Sequence, residues 1–363
     1  MGTMQPNQNL RAYVALSQSV SASQWEARNR VDEVPDRTPY GLHRLANYGV
    51  TPTFSDFAVA PRLARIAGQI RYRSGDLEIL ETVADRNARR HSDIVFCYDE
   101  RTGVPAAAAS RIGMSPPVVT GVGWLTAPAD TPPIQRRLAQ YALARSAAVF
   151  SQSPPQVELL SRTWGVDDAR LHFAPVGIDT DFYCEQPWPE ATAPLVVSAG
   201  EDVHRDHALL VAAVLAARER CPGLRLELAT ALPVNAPPEV VTLRTERLYG
   251  RMRDLYRRSS IVAIAVRPNV ITGSGLTVVL EAMASGRPVV MTGNPGISHY
   301  LRHNVEGILV PPGDPGAFAR AIVELAQDPV RARALGQAGA QRARTEFSSE
   351  RMAEHFASIM HGV

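Results

Sequence analysis

The sequence predicts an α/β protein built from two doubly wound, Rossmann-like domains, and three observations support this prediction. Strand-length apolar runs alternate with helix-length amphipathic segments along most of the chain, which is typical of parallel strands joined by crossover helices. The alternation breaks once, over residues 179–194, where three prolines and several charges show no periodicity. The length of 363 residues exceeds what one small core needs and is sufficient for two domains.

In the first half of the chain, five apolar runs have the length of strands and are bounded by turn-forming residues. They are Ala12–Leu16, Ile94–Tyr98, Val118–Gly121, Ala148–Gln152 and Leu171–Val176. Segments with helical periodicity separate them, namely Ile79–Arg90, Pro105–Ile112, Ile134–Arg145 and Pro155–Trp164. Residues 18–75 show no clear period, so no definite elements are predicted there.

A second α/β run begins at Leu195–Ala199. Its further strands are predicted near Leu224–Ala229, Val240–Leu243, Ile261–Ala265, Pro288–Met291 and Gly307–Val310. Helices are predicted near Ala208–Arg220, Arg251–Arg258, Leu276–Ser285 and Pro315–Gln327, with Arg331–Ala343 and Ser349–His361 as a helical tail.

These patterns predict an N-terminal domain over residues 1–180, a linker over 181–194, a C-terminal domain over 195–345 and a final helical segment over 346–363. Residues 1–9 are polar without an apolar signal core, so we expect them to be disordered. Ligands of open α/β sheets bind at the carboxyl ends of the strands. A cleft between the two domains is therefore the expected site.

Composition excludes several classes of enzyme. All 38 basic residues are Arg, so a lysine Schiff base, and with it a pyridoxal-phosphate enzyme or a lysine aldolase, is excluded. The Walker P-loop also needs its Lys. A net charge of +2 does not suggest a nucleic-acid partner. The scattered Cys97, Cys184 and Cys221 favour reduced thiols in a cytoplasmic protein, and no apolar run is long enough to span a bilayer.

The most informative stretch is residues 273–290, which read GSGLTVVLEAMASGRPVV. A turn of small residues opens a short apolar helix, where unpaired N–H groups and the helix dipole favour a phosphate. Thr277 lies in the first turn of this helix, and Glu281 lies four residues later on the same face, roughly 6 Å away. A carboxylate there can accept two hydroxyl protons from a ribose. The alternative is a core helix with one Glu, which is costly without a partner.

The same stretch carries a resemblance to a known family. Together with Gly296-Ile297 and the segment GILVPPGDP at 307–315, it resembles the C-terminal half of the retaining glycosyltransferases of the GT-B fold, of the glycosyltransferase family 4 or group 1 type. The segment APVGIDTDF at 174–182 is similar to that family's hinge signature. The resemblance covers roughly residues 90–360. It implies sugar transfer from a nucleoside-diphosphate sugar with retention, and a C-terminal helix that crosses back onto the first domain.

The resemblance implies roles for individual residues of the second domain. Glu281 corresponds to the glutamate that holds the ribose, and Gly275, Leu276 and Thr277 correspond to the turn that meets the diphosphate. Gly200 corresponds to the glycine after the first strand of this domain, but Glu201 follows it in place of the family's Arg. Arg205 is then the candidate cation for the diphosphate, or else a surface residue paired with Asp206 or Glu201. Arg251, in the helix before the nucleotide loop, is a further candidate for binding the nucleotide.

A family glutamate is missing as well. The first motif glutamate, which touches the transferred sugar, falls on Gly273. Arg267, Asn269 and Ser274 in the same loop are its candidate replacements. We therefore predict Arg205, Ser274 and Gly275 as the catalytic set, which stabilises the charge of the leaving diphosphate.

The acceptor is expected on the first domain. Gly41 and His43 are candidates for a loop near the sugar, although a histidine such as His43 is more often a surface or packing residue. Asp99 can bind an acceptor hydroxyl or cap the following helix, and Trp124 can stack on the acceptor or pack in the core. The basic, amphipathic segment 62–73 is either a plain surface helix or a peripheral contact with an anionic membrane, in which case the acceptor is lipid-linked.

The predicted function is a retaining glycosyltransferase that transfers a sugar to a natural product, a glycan or a lipid-linked hydroxyl acceptor. No cofactor other than the nucleotide-sugar donor and no metal are expected, because no carboxylate pair of the DxD type stands at a strand end. A sugar-nucleotide epimerase on the same fold and a non-catalytic nucleotide-sugar-binding protein are the alternatives. The base, the sugar, the acceptor and the oligomeric state are not determined by the sequence.

Overall fold

The computed structural model describes residues 9–17, 20–55, 61–84, 86–111, 113, 115–189 and 193–363. The chain forms two compact units. The first comprises Met1–Val31, Asp36–Pro175 and Glu350–Val363, and the second comprises Asp32–Pro35 and Val176–Ser349. The predicted disorder of residues 1–9 falls outside the described residues except for residue 9, and three residues of the predicted linker, 190–192, also lie outside them.

The first unit contains one sheet of six strands in the order β2-β1-β3-β4-β5-β6. Each neighbouring pair is parallel. The strands are β1 Leu10–Ala15, β2 Val50–Phe54, β3 Ile94–Cys97, β4 Val118–Val122, β5 Ala148–Ser151 and β6 Leu171–Phe173. Because β1 lies between β2 and β3, the winding direction of this sheet reverses next to β1.

Helices flank this sheet, and alternate residues of its strands belong to two separate apolar cores. The helices are α1 Ala22–Asn29, α2 Pro61–Ser74, α3 Ile79–Ala84, α4 Arg86–Arg89, α5 Glu100–Arg111, α6 Pro133–Leu143 and α7 Pro154–Trp164, with 3-10 turns at Pro39–Tyr48, Pro128–Asp130 and Asp168–Arg170. The C-terminal helix α13, Ser349–His361, contributes Met352, Phe356 and Met360 to one of the two cores.

The second unit contains a sheet of six strands in the order β12-β11-β10-β7-β8-β9, and all neighbouring pairs are again parallel. The strands are β7 Leu195–Ala199, β8 Arg225–Ala229, β9 Val241–Arg244, β10 Ile261–Ile264, β11 Val289–Thr292 and β12 Gly307–Val310. This is the order of the Rossmann fold, in which the first strand is central and the chain winds outward in both directions.

The helices of the second unit are α8 His207–Arg218, α9 Met252–Arg258, α10 Leu276–Ala284, α11 Pro315–Gln327 and α12 Pro329–Glu346, with a 3-10 turn at Tyr249–Arg251. Its main core lies between the sheet and the helices α8 and α11. Helix α10 packs on β10 and β11 and against α12. The doubly wound parallel sheets predicted from the sequence are confirmed.

Two elements differ from the prediction for identifiable reasons. Strand β2 was not predicted, because its sequence Val-Thr-Pro-Thr-Phe carries Pro52 at its centre; the strand lies at the edge of the sheet, where a missing N–H is tolerated. Helix α5 begins at Glu100 rather than at the predicted Pro105. The proline leaves the Arg101 carbonyl without its helical partner, and the Glu78 N–H binds that carbonyl at 2.9 Å.

Among the described residues, no helix combines the length and the apolar composition that crossing a bilayer would take. Helix α2, which covers most of the basic amphipathic segment, leaves Leu63, Ile66 and Tyr72 exposed. A membrane contact of this helix remains a prediction.

Candidate functional site

The second sheet changes its winding direction between β7 and β10, and the loops that follow these two strands meet there. Arg205 forms an isolated bridge with Val266. The Asp206 N–H donates a hydrogen bond of 2.9 Å to the Ala265 carbonyl. Open α/β sheets bind their ligands at such a switch point, so this edge is the candidate donor site.

Helix α10 begins at this edge with a left-handed turn. Gly275 is its N-cap, with φ of 89° and ψ of −12°, a conformation that glycine adopts without the penalty of a Cβ. The Leu276 N–H is used within the turn, where it binds the Gly273 carbonyl at 3.1 Å. The side chain of Leu276 is buried, while Thr277 is exposed. The first turn of α10 thus presents the Thr277 side chain at the switch point, together with the positive end of the helix dipole.

The guanidinium of Arg205 lies next to two glycines, Gly200 after β7 and Gly275 at the start of α10. A Cβ added to Gly200 would stand 2.2 Å from its Nε, and one added to Gly275 would stand 3.1 Å from its Nη1. Arg205 is 7% exposed, and burial lowers its pKa from the usual value although Asp202 opposes this. Arg205 is therefore a buried cation next to the N-terminus of α10, not a surface residue paired with Asp206 or Glu201.

Asp202, which the sequence did not single out, joins the two loops. Its Oδ2 accepts a hydrogen bond of 2.9 Å from Arg205 Nε. Its Oδ1 accepts one of 2.8 Å from Ser274 Oγ and one of 3.1 Å from the His204 N–H. Ser274 is thus held by a carboxylate that also orients the candidate phosphate-binding Arg. An acidic residue three positions before Arg205 is the only local signal, and it is a weak one.

Glu281 lies one turn along α10 and is half-buried. Its Oε2 accepts a hydrogen bond of 2.7 Å from the Tyr256 hydroxyl, and the Tyr183 hydroxyl also lies near the carboxylate. Burial raises the pKa of Glu281 to about 7, and the two phenols act in the opposite direction. The partner that an acidic residue in an apolar helix requires is therefore present. Neither tyrosine was predicted, because each is distant from Glu281 in the sequence.

The other predicted donor-site residues occupy different surroundings. Arg251 is exposed at the end of a 3-10 turn, and its Nη2 contacts the Arg247 carbonyl at 3.4 Å. Arg267 and Asn269 are exposed in the loop after β10. Of the three candidate replacements for the missing glutamate, Ser274 alone is buried and held by Asp202. Their contact with a sugar remains a prediction.

In the first unit, Gly41 and His43 belong to a 3-10 segment with a kink. Tyr40 and Gly41 both have positive φ, 58° and 65°, and the Tyr40 ring stacks on Tyr98 with centroids 3.7 Å apart. The His43 N–H and its Nδ1 both contact Thr38 Oγ1, at 2.9 and 3.2 Å. These contacts account for the position of His43 by packing and capping, and they leave its role toward an acceptor untested.

Asp99 and Trp124 follow neighbouring strands, β3 and β4, at the carboxyl edge of the first sheet. Asp99 Oδ1 accepts a hydrogen bond of 3.0 Å from the Arg101 N–H, so it caps α5, and burial raises its pKa. Trp124 is 48% exposed. Its N–H and that of Gly123 both donate to the buried Glu100 carboxylate at 2.9 Å. The two predicted acceptor residues therefore lie at one sheet edge, with the Trp124 backbone fixed and much of the residue exposed.

Two structural observations bear on metals and thiols. Within the described ranges, no group of three or more His, Cys, Asp or Glu residues is placed to hold a metal ion. Cys97, Cys184 and Cys221 form no disulfide. The expectation that the reaction needs no metal remains a prediction.

Comparison with known protein families finds a match within the second unit. Residues 194–328 match the family described as Glycosyl transferases group 1. A D-inositol 3-phosphate glycosyltransferase of Xylanimonas cellulosilytica is 29% identical in an alignment of 249 positions, which covers 61% of this chain and 58% of the relative. Its counterpart in Rhodococcus opacus is 29% identical in an alignment of 256 positions, which covers 62% of this chain and 56% of the relative. The chain thus spans about half the length of the curated relatives it matches.

Comparisons with solved structures extend over the whole chain. Anabaena HepE, crystallised with UDP and glucose, aligns with a TM-score of 0.69 and 15% identity over 98% of this chain and 100% of that chain. The sucrose-phosphate synthase of Thermosynechococcus elongatus gives 0.70 and 17% over 97% and 98%. At these identities the likeness shows the fold alone. The GT-B fold is confirmed, and the resemblance to group 1 glycosyltransferases is confirmed for residues 194–328.

Proposed function

We propose that this protein is a retaining glycosyltransferase that moves a sugar from a nucleoside-diphosphate sugar to a hydroxyl acceptor. One observation carries the proposal: the buried Arg205 guanidinium lies against the glycine N-cap of α10, with Glu281 one turn further along the same helix. A cation and a helix N-terminus recognise a diphosphate, and a carboxylate beside them recognises the ribose.

The chemistry follows from where charge develops. When the bond between the sugar and the diphosphate breaks, negative charge grows on the leaving phosphate. Arg205 and the first turn of α10 stabilise that charge more in the transition state than in the bound donor, which lowers the barrier. Asp202 holds both Arg205 and Ser274, so the corner is ordered before the donor arrives. In this proposal the leaving phosphate takes the acceptor proton, so the enzyme supplies no general base and no cofactor.

The nucleotide and the acceptor are assigned by class. HepE was crystallised with UDP and glucose, so uridine nucleotides are the first to test. The acceptor binds on the first unit, at the edge that carries Asp99 and Trp124 and with Gly41 and His43 as further candidates. A natural product, a glycan and a lipid-linked hydroxyl all fit this proposal.

A thermal-shift screen with UDP, GDP, ADP and dTDP tests nucleotide binding first. We expect one of them to raise the melting temperature in a concentration-dependent way. The matching UDP-, GDP-, ADP- or dTDP-sugar is then incubated with the protein, with and without EDTA, and the products are followed by proton NMR. Release of the nucleoside diphosphate and of a sugar that has the donor's anomeric configuration before it mutarotates supports the proposal, and EDTA should not reduce this release.

The two alternatives give different results in the same assay. An epimerase converts the nucleotide sugar into its epimer. Unlike a transferase, it does not accumulate the nucleoside diphosphate. A binding protein without catalysis, which the glycine at position 273 makes worth testing, shifts the melting temperature but leaves the donor intact. Failure of all four nucleotides to bind would contradict the proposed function as a whole.

A further inference from the structure

Two phenol groups converge on the carboxylate of Glu281. Tyr256, in α9, donates its hydroxyl to Oε2 at 2.7 Å, and the hydroxyl of Tyr183, from the segment before β7, lies near enough to lower the pKa of the same carboxylate. Tyr256 and Tyr183 are both buried. The Tyr256 hydroxyl therefore uses its one proton on this carboxylate, and the Tyr183 hydroxyl is directed toward the same group, which is the arrangement expected for a carboxylate that must be held in one place.

The tyrosine rings are themselves fixed by packing. Tyr183 meets Tyr256 edge to face with centroids 6.1 Å apart, and it meets Phe182 in the same way at 5.0 Å. Arg253 covers the Phe182 ring at 4.2 Å. The backbone carbonyl of Tyr256 accepts a hydrogen bond of 2.7 Å from Arg287 Nε. A carboxylate bound to two immobile rings has little freedom to rotate.

The chemistry of the partners is also informative. A carboxylate has about four acceptor positions, and two phenols leave some of them for a ligand. In the part of the chain that the structure describes, no ion pair neutralises Glu281. A cation there would compete for the lone pairs that ribose hydroxyls need, whereas a phenol orients the carboxylate and leaves its charge in place. Hydrogen bonds from a diol to an ionised carboxylate are stronger than those between neutral groups.

We propose that Tyr256 and Tyr183 are positioning residues that fix the Glu281 carboxylate for the two hydroxyls of a ribose and thereby set the preference for ribonucleotides over 2′-deoxyribonucleotides. The inference rests on the proposed nucleotide site and adds its selectivity. The tyrosines do not touch the ligand; they act through Glu281.

The protonation of Glu281 offers a second readout. Burial raises the pKa of Tyr256 and that of Tyr183 well above their usual value, and both phenols therefore stay protonated. The charge of Arg205 opposes the rise at Tyr256, Arg253 opposes it at Tyr183, and Asp179 adds to it there. Hydrogen bonds from the phenols favour the ionised carboxylate and so lower the pKa of Glu281, while burial raises it to about 7 overall. Removal of one phenol should raise that pKa further. The pH below which ribonucleotide affinity falls should then move upward.

The experiment compares wild-type protein with Tyr256→Phe and Tyr183→Phe, and uses Tyr300→Phe as a matched control. Tyr300 is another buried tyrosine of the second unit, and its hydroxyl accepts a hydrogen bond from the Val176 N–H at 3.0 Å. Isothermal titration measures the dissociation constants of UDP, GDP and ADP and of their 2′-deoxy counterparts between pH 6 and pH 9. Circular dichroism confirms that each variant is folded.

We expect each of the two phenylalanine variants to lose about three- to tenfold in affinity for the ribonucleotide, the worth of one hydrogen bond of about 1 kcal/mol. The affinity for the 2′-deoxy compound should fall less, so the ratio of the 2′-deoxy to the ribonucleotide dissociation constant falls. The midpoint of the pH dependence of ribonucleotide affinity should rise. Tyr300→Phe should leave the ratio of dissociation constants and the pH midpoint unchanged. Should Tyr256→Phe fail to fold, Tyr183→Phe carries the test.

The outcomes separate the two proposals. A wild-type protein that binds a ribonucleotide, with variants that keep both the ratio and the pH midpoint, would overturn the positioning role and leave the proposed function standing. A wild-type protein that binds dTDP and none of UDP, GDP and ADP would overturn the positioning role alone, and one that binds none of these four nucleotides would overturn both.

Discussion

Glu281 shows how a single residue was identified by its sequence context and explained by its tertiary contacts. A lone acidic side chain in the helix Leu276–Ala284 is costly unless it has a partner or a ligand. The structure supplies partners in Tyr256 and Tyr183. Because both partners are neutral, the carboxylate remains available for a polar ligand, which is the basis of its proposed role.

Replacement of Glu281 by Ala should weaken nucleotide binding by about 2–4 kcal/mol, the worth of two hydrogen bonds to a charged group. Isothermal titration measures the loss. Glu324→Ala, which removes an acidic residue of helix α11 whose carboxylate pairs with Arg331, is the control and should leave affinity unchanged. An unaltered affinity in Glu281→Ala would show that the ribose assignment is wrong.

The pH dependence of nucleotide affinity follows from the same residue. The pKa of Glu281 is raised from 4.5 to about 7, and the ionised form is the one that accepts hydroxyl protons. Affinity should therefore be highest above pH 7 and fall as pH decreases through 7, because a proton must first be released. Titrations in Glu281→Gln should lack this step, once ionisation of the nucleotide phosphate itself, common to both proteins, is subtracted.

Arg205→Ala should lower turnover more than it lowers donor affinity, since the charge on the leaving phosphate is greatest in the transition state. Loss of one preorganised group of this kind costs about a hundred- to a thousandfold in kcat. Steady-state kinetics of donor hydrolysis separate kcat from KM. Arg225→Ala, at an exposed position of β8, is the control. Equal kcat in Arg205→Ala and wild type would show that Arg205 does not stabilise the leaving phosphate.

At the scale of elements, the N-terminus of α10 depends on one backbone conformation. Gly275 has a positive φ, and an added Cβ would stand 3.1 Å from Arg205 Nη1, Ile264 and Met291. The sequence predicted a phosphate-binding turn here from its small residues. It could not show that Arg205 lies against that turn, because the two segments are brought together only by the pairing of β7 with β10.

Gly275→Ala should destabilise the fold by about 1–2 kcal/mol through the left-handed conformation alone and should also weaken nucleotide binding by displacing Arg205. Gly313→Ala separates these effects, because Gly313 has a similar φ of 75° with nothing within 4 Å of an added Cβ. Urea unfolding should show a loss of stability in both variants. Titration should show a loss of affinity in Gly275→Ala alone, and equal affinities would contradict the role assigned to this turn.

Elements that the sequence failed to predict share a physical cause. Strand β2 contains Pro52, which disfavours a strand, and the segment before β2 folds as a 3-10 segment with positive φ at Tyr40 and Gly41. Local propensity favours neither. Both are stabilised by contacts with distant residues, such as the stacking of Tyr40 on Tyr98 and the pairing of β2 with β1. A single sequence gives no local signal for such contacts.

At the scale of the whole molecule, the last helix of the chain completes the core of the first unit. Phe356 is fully buried and packs on Phe96 and Phe150, with ring centroids 4.9 Å away in each case. Phe356→Ala should cost about 3–5 kcal/mol of unfolding free energy by leaving a cavity. Urea unfolding followed by circular dichroism checks this. Nucleotide affinity should not change while the protein remains folded, because Glu281 and Arg205 belong to the second unit.

The sequence by itself determined the class of fold and the helix at the proposed donor site. Alternating apolar runs predict parallel sheets because the periods of strands and helices are local properties. The turn before Leu276 and the face shared by Thr277 and Glu281 are likewise local, since helix geometry places residues four apart on one side.

Only the tertiary structure decided which distant groups complete that site. Asp202 reaches Ser274 across 72 positions, and Tyr256 reaches Glu281 across 25. Such contacts depend on which strands lie side by side, and one sequence leaves strand order open. The folded chain brings a buried cation to the helix N-terminus and two phenols to the carboxylate, and these groups give the site the chemistry that we propose.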